Sequence, residues 1–351
     1  MEFSTLTLYL TERCNFRCSY CYQSPGRRTL AVADLDRALD FFRPHLAASS
    51  EVHFYGGEPL LAFGLISRAV ESLEKKRGTG RKIRFGLTTN GSLINEDVIA
   101  FFRDHHFRLM ISFDGLAQDQ GRRKGSGPAL ARLLERLLQF PAIQVETNSV
   151  FTPKTVRLLA GSLKLIHQMG VGDIRLAFSN LEPWPVTALT TIETELADYG
   201  RFARSRRRKT DRIPLDIFRP SRRRGIFGCG GGANRIAVAP DGTVWGCYLF
   251  VDRCRGRGRS TESRRFGFGR LDRFIRDYPE LYPRIVPRYT GLRMSGFETP
   301  EGECRACPEV EDCAICPLDA AAPGDEIGRI PIWTCRIAKI LRRARDRFLG
   351  R

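Results

Sequence analysis

A chain of 351 residues is long enough to bury a sizeable core, as one large α/β barrel or as two domains. Its 42% hydrophobic and 27% charged residues exclude a disordered or fibrous chain. The N-terminus has no basic stretch, apolar core and small-residue cleavage site, and no uncharged apolar run approaches the roughly 18 residues a spanning helix needs, so a cytoplasmic protein without a membrane partner is expected. The net charge of +18 is uneven, with 33 basic against 18 acidic residues after position 200 and 24 against 21 before it. Runs such as Arg206-Arg207-Arg208-Lys209, Arg222-Arg223-Arg224 and Arg342-Arg343 would attract nucleic acid or an acidic peptide, or form an ordinary solvated surface.

From residue 5 to about 180, short β-branched or aromatic runs alternate with amphipathic stretches, the pattern of repeated βα units on a parallel sheet. Strands are predicted at Leu6–Leu10, Val52–Tyr55, Ile83–Thr88, Leu109–Phe113, Gln144–Val150 and Asp173–Phe178. Helical spacing marks Val32–Phe42, Leu65–Lys75, Glu96–Asp104, Ala129–Phe140 and Thr155–Met169. Six such repeats predict a partial (β/α)6 barrel in an α/β fold, two units short of closure, with an open side for a large substrate. Residues 1–205 are assigned to this core. The basic, Pro- and Gly-containing stretch 206–228 reads as a linker, and 229–351 as a second, cysteine-rich domain. That domain opens with a hairpin pattern, Arg235–Ala239 and Thr243–Cys247 around Pro240-Asp241-Gly242.

Eleven cysteines in a reducing compartment argue for metal or cluster ligation over disulfides. Cys14, Cys18 and Cys21 form a CX3CX2C loop directly after the first predicted strand, at the rim where barrel sites are built. Three thiolates on one short loop hold three irons of a cubane and leave the fourth open to another ligand. A zinc site is the alternative, but it would want a fourth ligand nearby, and the loop holds no histidine or further cysteine.

The loop resembles that of the radical S-adenosylmethionine (SAM) superfamily, with Tyr20 at its aromatic position. The resemblance implies a [4Fe-4S] cluster on Cys14, Cys18 and Cys21, and Tyr20 near the adenine of SAM. Gly56-Gly57-Glu58-Pro59, after the second strand, resembles the family's GGEP turn, whose backbone groups and Glu58 would meet the methionine amine. Thr89-Asn90-Gly91, Ser112-Phe113-Asp114 and Thr147-Asn148-Ser149 end the next three strands and resemble the polar strand ends that line the cofactor site. Asn90, Ser112, Asp114 and Asn148 are the contacts so implied. Arg122, Arg123 and Lys124 compete to pair with the methionine carboxylate, and Arg123 is preferred; the family's usual His-Asp is replaced here by Gln120-Gly121.

The later cysteines resemble the SPASM extension of radical SAM enzymes: Cys229, then Gly242 with Cys247, then Cys304, Cys307, Cys313 and Cys316, then Cys335. The interval from Cys313 to Cys316 holds two residues where the family usually has three. The resemblance implies two auxiliary [4Fe-4S] clusters, the outer on Cys304, Cys307, Cys313 and Cys335, the inner on Cys229, Cys247 and Cys316. Cys254 either completes the inner cluster or is a free thiol. A zinc ribbon is the alternative, against which stands the spacing of only five residues between the two central pairs.

What the resemblance implies is reductive cleavage of SAM to a 5′-deoxyadenosyl radical that takes hydrogen from a peptide or protein substrate, installing a thioether, carbon–carbon or oxidative modification. An electron donor such as flavodoxin or ferredoxin is implied as a partner. Because the barrel begins at residue 5, a leader-binding function would fall to a separate protein or to the basic second half. Anaerobic sulfatase maturation is the second reading, weakened because Tyr248 stands where those enzymes carry an aspartate, with Asp252 the nearest acid. A nucleic-acid role rests only on the basic second half and on Arg264-Arg265-Phe266-Gly267-Phe268 as a stacking segment.

Overall fold

The computed structural model describes residues 2–23, 25–75, 81–206, 212–220, 230–255, 265–291, 297–310, 313, 315–316 and 328–350, with the side chains of 253–255 excepted. Six parallel strands stand side by side in chain order: β1 (Phe3–Thr11), β2 (Leu46–Gly56), β3 (Lys82–Thr89), β4 (Arg108–Ser112), β5 (Gln144–Phe151) and β6 (Ile174–Phe178). Between them run α1 (Val32–His45), α2 (Phe63–Lys75), α3 (Glu96–Asp104), the short α4 (Gln118–Gly121), α5 (Gly127–Leu137) and α6 (Leu159–Gln168), and α7 (Val186–Arg206) follows β6. All six strands and five helices expected from the sequence are present. Helix α7 was not among them.

The period-3.6 pattern does what it promises locally. Helix α2 buries Ile66, Ala69, Val70 and Leu73 on one stripe, while the side chain of Asn95 accepts the Val98 N–H and starts α3. The strands are covered on both faces, as parallel strands must be, so Phe3, Leu6, Leu8, Tyr9 and Leu10 of β1 are all at most 1% exposed.

The hairpin expected after residue 234 forms: β7 (Arg235–Val238) pairs antiparallel with β8 (Thr243–Trp245), and Gly242 takes the turn at φ +74°. Asp241 fixes that turn by accepting the Thr243 N–H at 3.0 Å and its hydroxyl at 2.6 Å. This hairpin continues the barrel sheet: β7 lies parallel to β1, with Leu6 opposite Ile236 and Leu8 opposite Val238, and β9 (Gly267–Arg270) adds to β8. The result is a nine-stranded sheet in the order β6-β5-β4-β3-β2-β1-β7-β8-β9. An apolar β1 with an unpaired edge would expose a row of backbone groups, and β7 occupies that row. Helices α8 (Tyr248–Arg255), α9 (Leu271–Arg276) and α10 (Tyr278–Thr290) pack around it.

At the other edge Ile174 of β6 bridges to Leu215, and the last helix, α11 (Ile332–Leu349), packs on α7, with the rings of Phe218 and Phe348 stacked at 4.4 Å. A small separate core of Phe297, Ile315 and Ile330 sits beneath the two-stranded ladder of β10 (Glu298–Thr299) and β11 (Gly302–Glu303).

Two charged features of the sequence resolve into internal structure. Phe266 and Phe268 are each 1% exposed, so the segment that would have stacked on bases instead fills the core. Arg342 pairs with Glu309 at 2.5 Å and Arg343 with Glu193, which commits both guanidinium groups to neighbours in the fold. No helix among the described residues is long and apolar enough to cross a membrane.

Candidate active site

The loop that follows β1 carries Cys14, Cys18 and Cys21 at the C-terminal end of the sheet. Burial raises all three thiols, Cys18 to about 11, and each lies near enough to another of the set for their charges to interact. Such thiols ionise only when a cation takes the proton's place. Among the described residues no three His, Cys, Asp or Glu side chains converge on a point that could hold a single metal ion. Three thiols on one short loop suit a cluster in which each binds a different iron.

The Gly56-Gly57-Glu58-Pro59 turn is built onto this loop. Gly57 N–H donates to Thr11 O and Glu58 N–H to Arg13 O, each at 2.8 Å. A Cβ on Gly57 would sit 2.4 Å from Arg13 O, and one on Gly56 2.7 Å from Thr11 O. The glycines therefore let two backbones touch, with the N–H groups of Gly57 and Glu58 donated to the end of β1 and the cysteine loop. Pro59 is buried and opens a short 3-10 turn that the Glu58 side chain caps through Leu60 N–H. Glu58 is fully buried. It also accepts the Thr89 hydroxyl at 2.7 Å and the Asn90 N–H at 2.8 Å, and burial pushes its carboxyl up to about 7. It holds the end of β3 in place, and through it Asn90, whose side chain bonds Asn15 of the cysteine loop at 2.8 Å.

Asp114, past the end of β4, is likewise 0% exposed. Arg122 grips it with two bonds, at 3.0 and 2.9 Å; the Val150 N–H adds a third at 2.9 Å, and the Tyr20 hydroxyl a fourth. The Arg122 guanidinium also lies over the Tyr20 ring, 5.2 Å from its centroid. Tyr20 is thereby locked from edge and face. The replacement of His-Asp by Gln120-Gly121 gains a reason, because a Cβ at 121 would stand 2.8 Å from the Tyr20 ring. Ser19 N–H closes the contact on Gly121 O at 2.9 Å. With Arg122 committed to Asp114, the two of the three candidate cations that stay exposed are Arg123, over the Phe16 ring at 5.4 Å, and Lys124. Ser112 lies opposite Asn148 across the β4–β5 ladder, and the Asn148 carbonyl accepts from Arg122 at 3.1 Å.

The later cysteines fall into two groups. Cys304, Cys313 and Cys335 pack on the small core of Phe297, Ile315 and Ile330, whereas Cys247 and Cys316 pack against the main core. Burial raises the Cys304 thiol to about 11, and its surroundings include Cys313, Cys335 and Cys307. Cys229 and the side chain of Cys254 lie outside the described residues.

Sequence reasoning missed Arg122 as the partner of Asp114, and it missed a junction of Tyr9, Gln23 and Asp252. Tyr9 donates to Asp252 at 2.8 Å, while the Gln23 amide reaches Tyr9 at 3.0 Å, the Gly56 carbonyl at 3.1 Å and Asp252 at 3.4 Å. A polar Gln two residues past Cys21 and a Tyr inside a leucine strand were the available signals.

With this geometry in view, the comparisons with known proteins agree. Residues 8–154 match the model of the radical SAM superfamily. The chain's fold is a radical SAM barrel with a cysteine-rich SPASM-type C-terminal end. The structure of anSMEcpe with bound AdoMet and Cp18Cys peptide superposes with a TM-score of 0.74 at 17% identity, covering 99% of this chain and 98% of that one. Streptococcus suis SuiB bound to precursor peptide SuiA gives 0.62 at 15% identity, covering 93% and 74%. An uncharacterised protein of Methanocaldococcus jannaschii is 29% identical over 192 residues, 53% of this chain and 66% of its own length. The GTP 3′,8-cyclase of Geobacter sulfurreducens is 34% identical over 163 residues (44% and 45%) and the serine-type anaerobic sulfatase-maturating enzyme of Klebsiella aerogenes 34% over 109 (29% and 27%). The chain thus spans between about a quarter and two thirds of the length of these curated relatives.

Proposed function

We propose that this chain modifies a peptide or protein by radical chemistry, holding its first cluster on Cys14, Cys18 and Cys21 and two auxiliary clusters on the later cysteines. The observation that carries this reading is the likeness of fold over 99% of the chain to an enzyme solved with both AdoMet and a peptide. The cyclase likeness covers only 44% of the chain. Cluster and SAM, when bound, supply the radical. The protein's own residues do the positioning: Arg122 and Asp114 fix Tyr20, Glu58 fixes Asn90, and Arg123, exposed over Phe16, is our candidate partner for the SAM carboxylate. The outer auxiliary cluster is assigned to Cys304, Cys307, Cys313 and Cys335, the inner to Cys229, Cys247 and Cys316, with Cys254 as a further candidate.

Sulfatase maturation remains the second reading because a serine-type enzyme of that activity is among the relatives. Against it, Tyr248 follows Cys247 where an acid is expected, and Asp252 stands one helical turn further on. The test is anaerobic reconstitution with SAM, a reductant and a library of candidate peptides. Formation of 5′-deoxyadenosine together with a mass change on a peptide is expected. Turnover of a sulfatase-derived Cys or Ser peptide in preference would select the second reading, and SAM cleavage with a nucleotide in place of any peptide would overturn both.

A further inference from the structure

Two buried side chains connect parts of the molecule that the sequence keeps far apart. Asp252, 9% exposed, sits on α8, the helix that begins directly after Cys247. Its Oδ1 accepts the hydroxyl of Tyr9, a β1 residue 1% exposed, at 2.8 Å, and its Oδ2 lies 3.4 Å from the amide nitrogen of Gln23. Gln23 is the second residue after Cys21, and the same amide nitrogen reaches the carbonyl of Gly56 in the glycine turn. A parallel aromatic contact runs beside it. The Tyr22 hydroxyl bonds that of Tyr55, and the Tyr55 ring lies 4.3 Å from that of Tyr248.

We infer that Asp252 is a positioning residue for the radical-generating loop. Through Tyr9 and Gln23 it fastens the segment that carries Cys247 to the segment that carries Cys21 and to the Gly56 turn. The geometry of the first site then depends on a helix of the C-terminal half, and rearrangement around Cys247 is felt at Cys21. A buried carboxylate accepting two donors is a strong and directional tie, and an aliphatic side chain in its place removes the acceptor of the Tyr9 hydroxyl and one of the three contacts of the Gln23 amide. The inference rests on the reading that Cys14, Cys18 and Cys21 hold the cluster that binds SAM.

The experiment uses the full chain, reconstituted anaerobically, as wild type, Asp252→Ala, Asp252→Asn, Gln23→Ala and the Asp252→Ala/Gln23→Ala double variant. Three quantities are read: the dissociation constant of SAM, the change that SAM makes in the electron paramagnetic resonance spectrum of the reduced protein, and amide hydrogen exchange in the segment 10–23. Asp252→Ala and Gln23→Ala should each weaken SAM binding about five- to tenfold, the worth of one ordinary hydrogen bond, and speed exchange in 10–23 ahead of the rest of the barrel. The double variant should be no worse than the poorer single one, because both remove the same tie. Asp252→Asn, which keeps the acceptor for Tyr9, should fall between and guards against a mere folding defect. An Asp252→Ala chain equal to wild type in all three readings, or effects that simply add, would overturn the inference. A wild type whose spectrum does not respond to SAM would instead overturn the cluster reading beneath it.

Discussion

Glu58 and Asp114 are carboxylates spent on their own protein. Each is 0% exposed and each accepts at least three hydrogen bonds, yet they differ in what balances the charge. Asp114 has Arg122 against it; the three bonds to Glu58 come from neutral donors, Leu60 N–H, the Thr89 hydroxyl and Asn90 N–H, and its carboxyl rises from an ordinary 4.5 to about 7. Between those two values the folded chain holds a proton that the unfolded chain has released, so stability falls as pH rises through that window and levels off above it. Replacing Glu58 by Gln should abolish this slope. Unfolding of the two proteins by urea between pH 5 and 8, under argon, is expected to show the wild type losing up to ~3 kcal/mol that the variant does not. Equal slopes would mean that Glu58 stays charged throughout.

At the scale of elements, the pairing of β7 with β1 decides how the C-terminal half is attached. Val238 lies opposite Leu8 and both are 0% exposed, so a charge there has neither water nor a partner. Val238→Asp should destabilise the whole chain by roughly 3 kcal/mol or more, visible as a lower midpoint in thermal unfolding followed by circular dichroism. If the hairpin were an independent attachment, the barrel would melt unchanged. The alternation of apolar and polar residues in each strand and the Asp-Gly turn were legible beforehand, because they are local. The β1–β7 contact was not: a parallel edge takes any strand of suitable pattern, and the pattern does not say which.

For the molecule as a whole, the C-terminal thiols pack on two separate cores, and the proposed reading puts an auxiliary cluster at each beside the first. Reconstituted protein should then hold about twelve irons per chain, and a Cys304→Ala/Cys335→Ala variant about eight, by iron and protein assay. About four irons in the wild type would show that the later thiols serve another purpose.

The cysteine spacings, the glycine turn and six strand–helix periods lie in consecutive residues, where bond geometry and hydrophobic alternation are enough to specify them. They carried the resemblance to the radical SAM superfamily, the strands and helices of the sheet and the place of the cysteine loop after β1. Folding alone decided how the candidate contacts are used. Arg122 and Arg123 are neighbours of one type, and only burial against Asp114 separates a positioning residue from an exposed cation. Tyr9 and Asp252 meet across 243 positions, a distance over which a sequence carries no trace of contact, because hydrogen bonds are set by where the strands and helices come to rest.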